Sequence, residues 1–369
     1  MDFFETQAQQ ELSALSRRIL GDRVTPDRLA ELEHAGLGFD AALWAELAKA
    51  GILAAALPDA VGGDGYGLAE QCSILVEFGR ALAPVPYLES IVAGAGLIAA
   101  FGSAGQVSRY ARAAATGQLV ITAALAEPGI DPAGEPATRA TPSAGGWLLS
   151  GVKSVVPSGA AAGLYLVTAT TPAGAAVFAV APDDDGLTAQ AQRVVDGTGA
   201  VRLRFAAVEL SADRLIGQSD GVAARWLLDR LTVGLCALQL GVTERALELT
   251  AEYARTRQQF GRAIGAFQAV AQRLADAYID VEAIRLTMWQ AAWRLEQHLA
   301  AAAEIATAKF WAADGGHRVA HTTVHVHGGV GIDVSHPVHR YFAAAKRNEF
   351  ALGGATAQLR QLGLMLAQS

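Results

Sequence analysis

The sequence predicts a mainly α-helical protein with one small β domain set between two helical stretches. Three observations predict it. Helical spacing of apolar residues runs through residues 2–115 and again from Asp220 onward. Between about 118 and 212 the texture changes to short runs with a period of two. Much of the 52% hydrophobic content is alanine, the best helix former, which suits helices with extensive buried faces. The resulting division is an N-terminal α-helical domain over 1–117, a central antiparallel β domain over 118–215 and a C-terminal four-helix bundle over 216–369.

Each element has a local reason. Phe3 to Ile19 mixes apolar and polar residues at helical spacing, and Asp40 is placed to cap a helix through Leu43, Leu47 and Ala48. The stretch 56–65 is dense in Gly and Pro and reads as a loop, followed by an apolar helix from about Leu68 to Leu82. Trp147–Ser150, Leu164–Val167 and Ala176–Val180 read as strands. Val201, Leu203 and Phe205 alternate with Arg202 and Arg204, as in a strand with one wet face. Beyond Asp220, Leu235, Leu238, Val242, Leu249 and Tyr253 trace one apolar helix face, with Glu244, Glu248 and Glu252 on another. A second long helix begins near Ala266 and a third spans about Ala300 to Val326. There is no internal repeat. The helix–sheet–helix order fits no doubly wound nucleotide fold, and no GxGxxG follows a strand.

Composition excludes several classes. No run of strongly apolar residues reaches the length of a membrane span, and mean hydropathy is +0.26. The opening residues Met1 to Glu5 lack a basic region followed by an apolar stretch, which argues against a secretory signal. Cys72 and Cys236 lie far apart and read as buried thiols rather than a disulfide framework, which fits a cytoplasmic location. A net charge of −7 disfavours nucleic acid as a partner.

Five stretches carry chemistry. Tyr253-Ala254-Arg255-Thr256-Arg257-Gln258-Gln259-Phe260-Gly261 continues to Ile264-Gly265-Ala266-Phe267-Gln268. Arg257 offers a planar, permanently charged fork for phosphate oxygens and Phe260 a flat apolar face. Taken without the flanking pattern, Arg255 and Arg257 read as solvated charges at a helix end. His325-Val326-His327-Gly328-Gly329-Val330-Gly331 supplies glycines where a ligand backbone can approach closely. The others are Ala126-Glu127-Pro128-Gly129, followed by Ile130-Asp131; Gly151-Val152-Lys153-Ser154-Val155-Val156-Pro157-Ser158-Gly159; and Gly353-Gly354-Ala355-Thr356-Ala357-Gln358.

Together these stretches resemble the acyl-CoA dehydrogenase family over nearly the whole chain. The resemblance implies FAD as cofactor, an acyl-CoA thioester as substrate and an electron-transfer flavoprotein as acceptor. It implies that Arg257, Phe260 and Gln268 hold the FAD from one subunit, and that His325, Gly328, Gly329, Thr356 and Gln358 meet it from another. Ala126, Pro157 and Ser158 fall where the family lines the flavin face. Departures in three of these stretches matter. Ala126 replaces a threonine and the run through Asp131 is short. Val155 takes the place of a shielding tryptophan, and Pro157 that of a hydroxyl residue beside the flavin. Gly354 takes the place of the glutamate that removes the α-proton.

The resemblance offers a second place for that base, at the start of the helix preceding the arginine motif. Counting back by the family spacing lands on Leu231, followed by Thr232. Asp229 lies two residues earlier, roughly 200° around a helix, and is brought in only by a local shift; otherwise it reads as a first-turn carboxylate favoured by the helix dipole. Glu349, near Gly354, reads as structural. The Gly353-Gly354 turn, with His336-Pro337-Val338-His339-Arg340-Tyr341, resembles a branch of heteromeric dehydrogenases acting on CoA thioesters of steroid side chains or other bulky acids. In that branch one subunit supplies the base and its partner shares the flavin site.

His317, His321 and His325 follow one another at i, i+4 and i+8, which is metal-ligand spacing; a polar helix face beside a cofactor explains them better, and no metal is expected. The expected function is an FAD-dependent acyl-CoA dehydrogenase subunit catalysing or supporting α,β-desaturation, in a homo- or heterotetramer with a second subunit of the same kind. The alternatives are a non-catalytic subunit completing a partner's FAD site, and a flavin oxidase or monooxygenase of the same fold with Asp229 as base.

Overall fold

A computed structural model describes residues 3–36, 38–130 and 134–368. Asp131, at the end of the short run noted above, lies outside the described residues. Helices occupy the chain up to Ala115, strands run from Ile121 to Ile216, and helices resume at Val222. The chain groups into two compact units. One comprises Met1–Pro26, Cys72–Ala83 and Thr232–Ser369, the other Asp27–Gln71 and Pro84–Leu231.

The first unit is helical. Its opening helix, Gln7–Arg23, starts later than Phe3 because Thr6 and Gln9 form a reciprocal cap in which each side chain takes up the other's backbone N–H. The helix Ala302–His327 packs against Gln268–Glu296, Val338–Phe350 and Ala355–Gln368. The last two of these, Val338–Phe350 and Ala355–Gln368, are separated by a break at Ala351–Gly354, where Gly353 adopts φ +90°. The Leu68–Ala81 helix crosses Val222–Thr256 on glycines. A Cβ on Gly79 would lie 2.1 Å from the Leu238 carbonyl oxygen, and one on Gly241 only 1.9 Å from that of Val76. Glu244 does not face solvent as the pattern suggests. It is nearly buried and paired with Arg80 (2.8 Å) and Arg285 (2.7 Å), so at Glu244 the polar face is a helix contact made of ion pairs, while Glu248 and Glu252 stay exposed.

The second unit holds the sheet. The strands are β1 (Ile121–Ala124), β2 (Arg139–Ser143), β3 (Gly146–Pro157), β4 (Leu164–Thr171), β5 (Gly174–Val180), β6 (Leu187–Arg193), β7 (Gly199–Ser211) and β8 (Leu215–Ile216). Their order is β6-β7-β3-β2-β4-β5-β8, with β1 paired to β4. The sheet is mixed rather than purely antiparallel. β1 and β2 each run parallel to β4, because long connections rather than hairpins join them to it. As the alternation predicts, Val201, Leu203 and Phe205 are buried while Arg202 and Arg204 are exposed. In the same unit Asp40 caps Ala41–Lys49, its carboxylate accepting from the Ala42 and Leu43 N–H groups. Both cysteines are buried as thiols, and neither is in a disulfide.

Candidate cofactor site

In the helical unit the arginine motif ends the helix Val222–Thr256 and turns into a tight hairpin, Gln258–Gln259 against Arg262–Ala263. Arg257 anchors this turn with its backbone. Its N–H donates to the Tyr253 carbonyl (2.8 Å) and its carbonyl accepts from Ile264 N–H (2.8 Å). Its side chain is exposed and, among the described residues, makes no hydrogen bond or ion pair. At the hairpin tip Phe260 is 92% exposed, at φ +51°. Gln268 is exposed as the first residue of Gln268–Glu296. The second motif closes Ala302–His327. His325 is exposed, Gly328 stands at φ +61° and ψ −136°, and a Cβ on Gly329 would meet nothing within 4 Å. An uncommitted guanidinium, a bare aromatic face and an open glycine turn suit a nucleotide diphosphate.

The turn at 353–358 is different. Gln358 is buried, and its amide donates to the Leu352 (3.3 Å) and Gly353 (3.4 Å) carbonyls, so inside this chain it holds the turn. Thr356 is exposed beside it. A Cβ on Gly354 would meet only the Glu349 carbonyl oxygen at 3.6 Å and a Phe350 ring carbon at 3.9 Å, so the position has room for a side chain it lacks. Glu349 does not replace the missing carboxylate. Lys346 Nζ donates to it at 2.6 Å, and His317 Nδ1 lies 3.1 Å away. The rings of His317 and His321 lie 4.2 Å apart, and among the described residues no group of three or more His, Cys, Asp or Glu is placed to hold a metal.

In the sheet unit, the segment expected at the flavin face is largely satisfied by the chain itself. The Ala126 carbonyl accepts from Ser154 N–H (2.8 Å), and Val155 N–H donates to Gln192 Oε1 (2.9 Å). The Pro157 carbonyl accepts from Thr122 Oγ1 (2.6 Å) and Ser158 N–H donates to Gly199 (3.3 Å). Pro157 itself has no N–H. The Ser158 hydroxyl is left without a partner among the described residues. Behind this segment Lys153 and Glu127, both buried, form an ion pair at 2.6 Å. Sequence reasoning passed over that pair, although both residues stand in quoted motifs, because nothing local says that they meet. The residues present thus fit the nucleotide half of FAD well, and its ring half through one hydroxyl.

Asp229 lies about two turns inside Val222–Thr256 rather than in its first turn, so the helix dipole is not what governs it. It is half-buried and, among the described residues, accepts no hydrogen bond and forms no ion pair. Burial pushes its carboxyl up to about 6, against the opposing pull of Arg225 and Arg230. The Arg230 guanidinium lies over the Trp226 ring, 3.9 Å from its centre. Leu231 and Thr232, where the spacing places a base and its neighbour, are buried.

Helical stretches before and after a sheet, with a phosphate-fitting arginine hairpin and a glycine turn on the second, define the fold and site of a flavin-dependent acyl-CoA dehydrogenase. The sequence agrees: the acyl-CoA dehydrogenase N-terminal domain matches residues 6–118 and the C-terminal domain residues 221–365. The chain belongs to the acyl-CoA dehydrogenase family, oxidoreductases that use FAD. It is 48% identical to acyl-CoA dehydrogenase FadE27 of Mycobacterium tuberculosis over 378 aligned positions, which cover 100% of each chain. Its fold matches a chain of the ChsE4–ChsE5 complex from Mycobacterium tuberculosis with a TM-score of 0.96 at 48% identity, covering 100% of each. It matches a variant of the Tcur3481–Tcur3483 steroid ACAD with a TM-score of 0.92 at 42% identity, covering 98% of each.

Proposed function

We propose that this chain is the subunit of a heteromeric acyl-CoA dehydrogenase that contributes the nucleotide-holding part of an FAD site, while a second acyl-CoA dehydrogenase-like subunit supplies the base. The observation that carries this reading is the empty base position. Gly354 has room for a side chain and none is there, and the neighbouring Glu349 is held by Lys346 and His317. The reading is supported by the likeness to a chain of the two-component ChsE4–ChsE5 complex. FAD, when bound, supplies the hydride acceptor for the substrate's β-carbon. In this chain Arg257 and Gln268 would hold its phosphates, Phe260 would cover the adenine, and the turn at Gly328 and Gly329 would admit its backbone. His325 and Thr356 are further polar contacts, and Ser158 the remaining hydroxyl on the ring side. Ala126, Pro157 and Gln358 are occupied within the chain.

The substrate in this reading is a bulky acyl-CoA of the steroid side-chain kind, since the Tcur3481–Tcur3483 protein is a steroid ACAD. Electrons would pass to an electron-transfer flavoprotein in the cytoplasm; no helix of the described residues is long and apolar enough to cross a membrane. One observation favours a second reading, a self-sufficient enzyme: Asp229 is a half-buried carboxylate with a raised pKa and no hydrogen bond, the state a general base requires. The test is the visible spectrum of the chain purified alone and with a co-expressed partner. The heteromeric reading expects flavin bleached by acyl-CoA only in the two-subunit preparation. Stoichiometric, bleachable flavin in the chain alone would overturn it in favour of Asp229.

A further inference from the structure

We infer that His327 is the positioning residue that joins the chain's two nucleotide motifs into a single half-site for the adenosine diphosphate part of FAD. The inference rests on the reading that this chain holds the nucleotide side of the cofactor.

His327 is the last residue of Ala302–His327 and only 4% exposed. Its ring stacks on Tyr253, with centroids 4.4 Å apart and planes 24° from parallel. Its Nδ1 lies 2.8 Å from the Thr323 carbonyl oxygen, one turn back. A carbonyl can only accept, so Nδ1 carries the proton; that bond fixes both the tautomer and the rotation of the ring.

The stack has one motif on each side. Tyr253 is one turn before Arg257 and accepts its backbone N–H, while Arg257 in turn accepts from Ile264 and so closes the hairpin that presents Phe260. On the other side His327 runs directly into Gly328. A Cβ on the following Gly331 would sit 3.2 Å from that of His327 and 2.9 Å from the Val324 backbone, so the turn is packed onto the ring's own helix. Two segments more than 60 residues apart in sequence therefore share one flat contact, and displacing the ring displaces both.

The test titrates FAD, and ADP as its competitor, into the flavin-stripped protein as it purifies with any accompanying subunit, well below its melting temperature. His327→Ala should weaken both ligands about tenfold, the order of one lost aromatic stack, while His327→Phe, which keeps the stack, stays within about twofold. A merely structural histidine would lower the melting temperature and leave the dissociation constants of the folded variants unchanged, which would overturn the inference. If His327→Ala does not fold, Tyr253→Ala breaks the same stack from its half-buried side and should weaken binding equally. Arg257→Ala separates the two claims. If it weakens FAD while His327→Ala does not, the joint alone is wrong; if neither changes binding, the nucleotide reading falls and the inference with it.

Discussion

Lys153 Nζ lies 2.6 Å from Glu127 Oε1, with both side chains shut off from water inside the sheet unit. The ammonium also donates to the Leu125 carbonyl (3.2 Å) and Thr168 Oγ1 (3.0 Å), while the carboxylate accepts from the Ala137 (2.5 Å) and Thr138 (2.9 Å) N–H groups. One pair thereby ties the loop after β1 to β3, β4 and the entry to β2. Burial pulls the Lys153 ammonium down to about 8 against the pull of Glu127. Burial also pushes Glu127 up, but its bonds to Lys153 and Thr138 outweigh this and hold it below the usual carboxylate range.

Removing one partner leaves a buried charge without compensation. Lys153→Met should cost about 3–5 kcal/mol in urea unfolding, and adding Glu127→Gln should recover part of that. Because the folded-state pKa of Glu127 is depressed, its contribution is present above its ordinary value near 4.5 and is lost as pH falls through the folded-state value. The wild-type protein should lose stability in that acid window more steeply than the double variant.

Asp229 carries the opposite sign. Its folded-state pKa is raised from 3.8 to about 6, so between those values the folded protein binds the extra proton and stability falls as pH rises. Above pH 6 the full penalty stands. Asp229→Asn should therefore stabilise the protein by about 2 kcal/mol at pH 8 and by almost nothing near pH 3.5, read by chemical denaturation at each pH. If a partner supplies the base, acyl-CoA turnover of the two-subunit enzyme survives this change; if Asp229 is the base, it is abolished.

The two glycines of the 353–354 turn should respond differently to alanine. Gly354 has only ordinary contacts around an added Cβ, so Gly354→Ala should be neutral or stabilising by up to about 1 kcal/mol, because it restricts the unfolded chain. Gly353 stands at φ +90°, with Gln358 Nε2 3.0 Å from an added Cβ. Gly353→Ala should cost about 1–3 kcal/mol. Melting curves of both variants check the contrast.

At the helix crossing, a methyl group on Gly241 would collide with the Val76 carbonyl at 1.9 Å, a backbone atom that cannot swing aside. Gly241→Ala should lower stability by about 1–3 kcal/mol, through a forced separation of the two helices. Circular dichroism on heating would show it, and an unchanged midpoint would refute the crossing.

Much of the fold was legible because its signals are local. The alternation of Val201, Leu203 and Phe205 with arginines fixes a strand face, Asp40 announces a cap, and the 253–268 motif has a fixed spacing readable without coordinates. The parallel pairings of β1 and β2 to β4 were not legible, since strand direction depends on how long connections are routed. Nor was the role of Glu244, whose periodicity suits a solvated face equally well until Arg80 and Arg285 arrive from other helices.

The sequence by itself determined the helix–sheet–helix order, the family, the motifs that resemble its FAD-binding stretches and the absence of a carboxylate at Gly354, because each is a matter of residue type at a local spacing. Only the tertiary structure decided that Glu349 is held by Lys346 and His317, that Gln358 turns inward, that Lys153 meets Glu127, and that His327 lies flat on Tyr253. Those four facts join residues on different turns, strands or helices. Hydrogen-bond partners and burial are set by what packing brings within a few ångströms, and residue type and spacing along the chain do not encode that distance.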